Sequence, residues 1–240
     1  MAFEEKSALD ELIKEVEQEI EVLAQKLYSD AEPSYQALSI SKDLVSGKKV
    51  SNVRFDRVYP SMIRKLSSVH WSPVDVVIKA SALLANKKNM KILDVGSGCG
   101  KFCIIGAVTH PDVHFYGIEQ RSYLNEISKG AARSFKLNNV TFINGNMTSL
   151  DWSEYDAFYL FNPFYENKML PFSRIDISVP VSQYRYDFYL ETVHAKLSEL
   201  KVGTRVVTYH GFGGNLPDTY ELSSSEPTGS SELELWVKVK

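Results

Sequence analysis

Apolar residues recur at steps of three and four between residues 3 and 29, at Leu9, Leu12, Ile13, Val16, Ile20, Leu23 and Leu27. That period predicts an amphipathic helix, with Ser7 as its cap and Glu11, Glu15, Glu17, Glu19 and Glu21 on or near the wet side. Asp30-Ala31-Glu32-Pro33 breaks it, and a second, shorter helix is expected over Ser34 to Leu44. Tyr59-Pro60-Ser61 opens a further helix through Leu66. Ser72 as N-cap with Pro73 at the first helical position opens another, reaching Leu84 or Ala85 on a stripe of Val74, Val77, Ile78, Ser81, Leu84 and Ala85.

The pattern changes after the turn Asn86-Lys87-Lys88-Asn89. Short β-branched and aromatic runs now alternate with helical stretches. Strands are expected over Ile92 to Val95, His114 to Ile118, Val140 to Ile143, Tyr155 to Phe161 and Thr204 to Tyr209. Helices are expected from Phe102 to Val108, closed by Thr109-His110-Pro111, from Tyr123 to Lys136, and from Ser182 to Leu200. Tyr220 to Ser224 and Leu233 to Val239 read as a final antiparallel pair joined by Ser225-Glu226-Pro227-Thr228-Gly229. Strands separated by helices make an α/β chain with a mostly parallel sheet and helices on both faces.

The first of these strands carries candidate chemistry. Asp94 interrupts its apolar run just before Gly96, Ser97, Gly98, Cys99 and Gly100. A loop at the carboxyl end of a parallel strand can bring its backbone against a ligand where side chains are absent, and the following helix offers free N–H groups. Glu119 closes the next strand, roughly 20 residues on, where a ribose diol would lie, with Gln120 beside it. A dinucleotide fingerprint would need a third glycine where Lys101 stands, which argues against a nicotinamide cofactor.

Asp94-Val95-Gly96-Ser97-Gly98-Cys99-Gly100 with Glu119 resembles the first two motifs of the class I S-adenosylmethionine (SAM) dependent methyltransferases, and the resemblance runs from about Trp71 to the C-terminus. It implies a Rossmann-like, seven-stranded, mostly parallel sheet, here preceded by a helical region over residues 1–70, with the methyltransferase domain at 71–240. It also implies SAM as cofactor, with Asp94, Gly96, Ser97, Gly98 and Gly100 around the methionine part, Glu119 and Gln120 at the ribose, and Asn146 and Met147 at the adenine. The family's acid at this adenine turn is here Asn146, whose carbonyl can accept the same bond.

Asn162-Pro163-Phe164-Tyr165 after the fourth strand resembles the [D/N/S]-P-P-[Y/F/W] motif of amino-group methyltransferases, with Phe164 in place of the second proline. A nitrogen attacking the sulfonium methyl in line needs acceptors that aim its lone pair. The Asn162 side-chain oxygen and the Pro163 carbonyl can supply them, and Tyr165 or Phe164 a flat wall. The implied activity is methyl transfer to an amino or amide nitrogen. Two alternatives stay open: a protein-lysine methyltransferase, suggested by the Gly96-Ser97-Gly98-Cys99-Gly100-Lys101 run, and a SAM-binding regulatory or scaffold protein. His70 and Trp71 are candidates to line the site, and residues 166–182 form a proline-punctuated insertion beside it.

Composition adds few restrictions. The 240 residues are 44% hydrophobic and 24% charged, enough for a full core, and the net charge of -3 gives no global pull toward nucleic acid. Between Lys42 and Lys65, however, seven Lys and Arg residues with interleaved Phe55 and Tyr59 form a candidate anionic or nucleic-acid contact. The acceptor class thus stays open among protein, nucleic acid and small molecule, as does oligomeric state. No stretch is long and apolar enough to span a bilayer and the N-terminus is acidic, so cytoplasmic residence without membrane partners is expected. The two cysteines, Cys99 and Cys103, read as packing residues, and no metal site is expected.

Overall fold

A computed structural model describes residues 34–170, 174–176 and 178–240, together with Glu15, Glu19 and Val22; the amphipathic helix expected over residues 3–29 otherwise lies outside the described residues. Among the described residues from 34 on, four helices come first: α1 (Tyr35–Val45), α2 (Asn52–Asp56), α3 (Ser61–His70) and α4 (Val74–Leu84). The alternating part follows as β1 (Lys91–Val95), α5 (Lys101–Thr109), β2 (His114–Glu119), α6 (Ser122–Ser134), β3 (Val140–Asn144), β4 (Ala157–Leu160), α7 (Gln183–Ser198), β5 (Arg205–Tyr209), β6 (Tyr220–Thr228) and β7 (Ser231–Lys238).

The strands form one seven-stranded sheet in the order β3-β2-β1-β4-β5-β7-β6. Pairing is parallel from β3 through β5, and β7 runs antiparallel to both of its neighbours. Side chains alternate across the sheet, so Ile92 enters a core under α4, α5 and α6, while Leu93 and Val95 enter the opposite core under α7. The chain leaves β1 in one direction to reach β2 and later returns on the other side as β4. This reversal of strand order opens a crevice at the carboxyl ends of β1 and β4, the ligand position in open α/β sheets.

Phe102 to Val108 has no polar face, and every residue of α5 from Lys101 to Val108 is buried. A helix apolar all round must be covered all round. The sheet covers one side of α5, and α1 and α4 pack on others. Phe102 stacks on Tyr159 of β4 with ring centroids 4.1 Å apart.

Several boundaries differ from the expected ones for physical reasons. Helix α2 was not expected; Ser51 caps it by accepting from Arg54 N–H. Helix α3 continues past Leu66 to His70, carrying Ile63 and Ser67 into the interior. Ser72 does not cap α4. Its hydroxyl shares a hydrogen bond with the Tyr159 hydroxyl at 2.6 Å, and the free N–H of Val74 donates instead to Asn52 Oδ1 at 2.7 Å. The capping group thus comes from a different helix, and α4 starts one residue later than Pro73. The fourth strand spans only Ala157–Leu160. The last hairpin is longer than expected: β6 runs through Pro227 to Thr228, and the turn is Gly229-Ser230. Pro227 is tolerated because β6 is an edge strand, where a missing N–H costs no ladder bond. A register shift between Leu222 and Ser224 bends the same strand.

Candidate active site

The glycine loop after β1 and the Asn162 loop after β4 face each other across the crevice. Gly96 N–H and Ser97 N–H both donate to Ile118 O at 3.0 Å, which locks the loop to the end of β2. Gly98 has φ +53, and a Cβ there would stand 2.2 Å from Trp71 Nε1. Only glycine allows the indole to lie on the loop. At Gly96 (φ +77) a Cβ would come 3.1 Å from Pro163 Cβ, so the two loops touch directly. Trp71 and His70 line the pocket together with Gly96, Gly98 and Val95.

Glu119 joins the loop to the next turn. Gly98 N–H donates to its Oε2 at 3.1 Å and Arg121 N–H to its Oε1 at 2.9 Å. Burial raises the carboxyl above the usual carboxylate range, against the opposing pull of Arg121 and of the two N–H donors. It lies at the pocket wall beside Gln120 and Arg121.

Three of the expected cofactor residues lie behind the pocket surface. Asp94 points into the core under α5, where the Cys103 thiol donates to it at 3.8 Å. Burial, opposed by that bond, pushes its carboxyl up to about 8. Ser97 is buried against Gly117, and Gly100 occupies the left-handed N-cap of α5. Cys99 and Cys103 are free and buried, and burial drives the Cys99 thiol up to about 12, which leaves it inert at neutral pH. Among the described residues no group of acids, histidines and cysteines could hold a metal ion.

At the third strand's turn, Asn146 and Met147 both line the pocket. The Asn146 carbonyl accepts from Thr148 N–H at 3.1 Å, and its NH2 donates to Tyr189 Oη at 3.0 Å and to Gln120 Oε1 at 3.4 Å. One carbonyl lone pair remains for a further donor.

Opposite stand Asn162, Pro163, Phe164 and Tyr165. Asn162 has φ +41, in the left-handed region that Asn tolerates better than most residues. Its N–H donates to Gly211 O at 2.8 Å and its carbonyl accepts from Tyr165 N–H at 3.2 Å, so the backbone is pinned on both sides. No described residue engages its side-chain amide. Phe164 is buried on Tyr189, with centroids 5.1 Å apart, whereas Tyr165 is 49% exposed at the pocket mouth.

Arg121 is the main residue that the sequence did not flag. Its guanidinium reaches Glu166 Oε2 at 2.7 Å and both Asp176 carboxylate oxygens at 3.1 Å, and lies 3.9 Å from Glu119 Oε1. A readable signal existed: a basic residue two positions after the strand-ending acid, and two acids in the insertion. Two expected features have structural uses instead. Lys101 is 2% exposed and turned away from the pocket toward Asp56 Oδ1 at 2.8 Å. In the basic segment Phe55 and Tyr59 are core residues, and Arg54 is held by Asp43 at 2.6 Å and Ser39 at 2.9 Å, so neither aromatic can stack on a base.

Residues 86–168 match a family model described as a methyltransferase domain. The protein-L-isoaspartate O-methyltransferase of Methanothermobacter thermautotrophicus is 31% identical over 72 residues, which is 30% of this chain and 33% of that protein. The chain therefore spans about a third of that curated relative's length. Among solved structures, an RNA methyltransferase from Salinibacter ruber in complex with S-adenosyl-L-homocysteine (SAH) superposes with a TM-score of 0.51 at 20% identity, covering 70% of this chain and 92% of that one. TrmN from Thermus thermophilus superposes with a TM-score of 0.56 at 16% identity, covering 77% of this chain and 53% of that one. At these identities the structural likeness is one of fold. Residues 86–168 are thus similar to a methyltransferase domain, and the chain shares the fold of these two methyltransferase-like structures.

Proposed function

We propose that this protein binds SAM in the crevice between β1 and β4 and transfers its methyl group to an amino or amide nitrogen. The residues fit the cofactor: Gly96 and Gly98 line the pocket where the methionine part would lie, Glu119 offers a buried carboxylate for the ribose hydroxyls, and Asn146 and Met147 flank the adenine end. When bound, SAM supplies an electrophilic methyl on a positively charged sulfur. The chain's part is to hold the acceptor nitrogen in line with it.

The observation that carries the nitrogen reading is Asn162. Its pinned, left-handed backbone leaves an amide that no described residue engages at the pocket wall, directly before the Pro163 that touches Gly96. An amide oxygen there accepts an N–H of the acceptor, aims its lone pair and stabilises the positive charge that develops as the N–C bond forms. The names of the relatives span RNA and protein acceptors, so the nitrogen assignment rests on this loop.

Two measurements test the reading. Calorimetry should show SAH binding to the purified protein, and Glu119→Ala should weaken it tenfold or more, since each charge-assisted bond contributes roughly 1.5 to 3 kcal/mol. Unchanged affinity in a folded Glu119→Ala protein would remove the ribose assignment. Label from methyl-labelled SAM should enter one fraction of a cell extract separated into RNA, DNA, protein and small molecules. Binding without any transfer would leave a SAM-binding regulatory protein, and label on lysine side chains would mark a protein-lysine methyltransferase.

A further inference from the structure

Glu119, Glu166 and Asp176 surround a single guanidinium whose side chain is 4% exposed. Burying carboxylates is costly unless each is paired or hydrogen-bonded, and here one cation serves three. Each acid is also tied to backbone. Glu119 accepts from Gly98 and Arg121 N–H, Glu166 Oε1 accepts from Ile175 N–H at 2.7 Å, and Asp176 Oδ1 accepts from Ser178 N–H at 2.9 Å. Tyr123 on α6 adds a hydroxyl donor to Asp176 Oδ2 at 2.6 Å. Glu119 belongs to the cofactor side of the pocket, whereas Glu166 and Ile175 belong to the wall beyond Asn162 and Tyr165.

We infer that Arg121 is a positioning residue shared by both half-sites, holding Glu119 toward the cofactor ribose while fixing Glu166 and Asp176 at the acceptor-side wall. This rests on the methyltransferase reading above. The guanidinium is suited to the task because its planar fork donates in several directions at once and stays charged at any working pH.

The same arrangement sets the protonation of Glu119. It is faced by Arg121 on its own turn, by Glu166 from the segment after β4, and by Asp94 from β1. Burial raises Glu119, and Arg121 is its strongest counterweight. Without the guanidinium the carboxyl rises further, and in its protonated form it accepts ribose hydroxyls poorly. Affinity for the cofactor then returns as the pH is raised through the higher pKa.

The test measures SAH affinity by calorimetry from pH 6 to pH 9. Arg121→Met alone leaves three acids without their cation and is at risk of misfolding. The deciding variant therefore combines Arg121→Met with Glu166→Gln and Asp176→Asn, which leaves Glu119 as the cluster's remaining acid. It should lose SAH affinity as the pH falls, by up to about tenfold for each pH unit below the raised Glu119 pKa, because each unit is a factor of ten in the ionised fraction. Its inflection should lie at higher pH than that of the native protein. Arg121→Lys, which keeps the charge and loses the fork, should keep the native profile. Asp176→Asn alone should retain native SAH affinity while lowering label transfer to the extract. A merely structural Arg121 would change overall stability and leave the shape of the pH profile alone. Identical profiles in the native and triply substituted proteins would overturn the inference while leaving the methyltransferase reading intact. Failure of the native protein to bind SAH at all would overturn both.

Discussion

Lys101→Met is expected to lower the stability of the protein by about 3–5 kcal/mol, the range found when one partner of a buried ion pair is removed. The Lys101 ammonium is enclosed by Asp56 Oδ1 at 2.8 Å, Asn52 Oδ1 at 3.3 Å and Ser67 Oγ at 3.4 Å, with the Phe55 ring centroid 5.7 Å away. The substitution leaves the Asp56 carboxylate buried, with its side chain only 9% exposed, and without its cation. Pairing Lys101→Met with Asp56→Leu should recover much of the loss, since two apolar side chains of similar volume often replace a buried pair at little cost. Urea denaturation checks both, read as a shift in midpoint at unchanged m value. A single variant within about 1 kcal/mol of the native protein would mean that water reaches Asp56 after all. The effect should extend to the pocket. Asn52 Oδ1 also accepts the first free N–H of α4, and Trp71, three residues before that helix begins, lies on Gly98.

Asn162→Ala is expected to lower turnover by roughly 10² or more, the loss seen when one preorganised acceptor for developing charge is removed. SAH affinity should change little, because the amide addresses the acceptor. The backbone complicates the alanine variant: at φ +41 a β-carbon without a polar group is strained, and some stability will be lost with the amide. Asn162→Gly separates the two effects, since glycine keeps the left-handed turn without strain and removes only the amide. It should fold at least as well as the alanine variant and be equally slow. Asn162→Asp, which still offers a carboxylate oxygen, should retain part of the rate. The measurements are single-turnover rates with the labelled extract fraction, beside SAH calorimetry on the same proteins. A well-folded Asn162→Gly protein that transfers methyl at the native rate would end the nitrogen mechanism.

The order of strands and helices from Lys91 onward was readable because each unit has its own local signal. β-Branched runs, glycines and proline stops depend on neighbours in sequence. The candidate pocket residues Gly96, Gly98, Glu119, Asn146, Met147, Asn162 and Pro163 come together because all follow the carboxyl ends of β1 to β4, and that end is implied by the alternation. What the sequence hid are the pairings made across long separations. Lys101 is a loop-end cation until Asp56, 45 residues earlier, is folded onto it. Arg121 is an ordinary residue before a helix until Asp176, 55 residues later, arrives. Phe55 and Tyr59 looked available among basic residues because nothing local shows that α2 is pressed against Phe135 at the end of α6. The cap of α4 was misread for the same reason, since Asn52 lies 22 residues away from Val74.

Strand β6 gives the sheet a boundary that other chains cannot easily use. An open edge presents unpaired N–H and C=O groups to any extended segment, its own kind included. Here the outer strand is bent by its register shift at Leu222 and Ser224, lacks an N–H at Pro227, and has Glu226 engaged by Lys79 of α4. Glu221, Ser224 and Ser225 add exposed polar side chains along it. An approaching strand would meet an interrupted ladder and have to displace an ion pair. Growth of the sheet by intermolecular addition at this edge is therefore disfavoured.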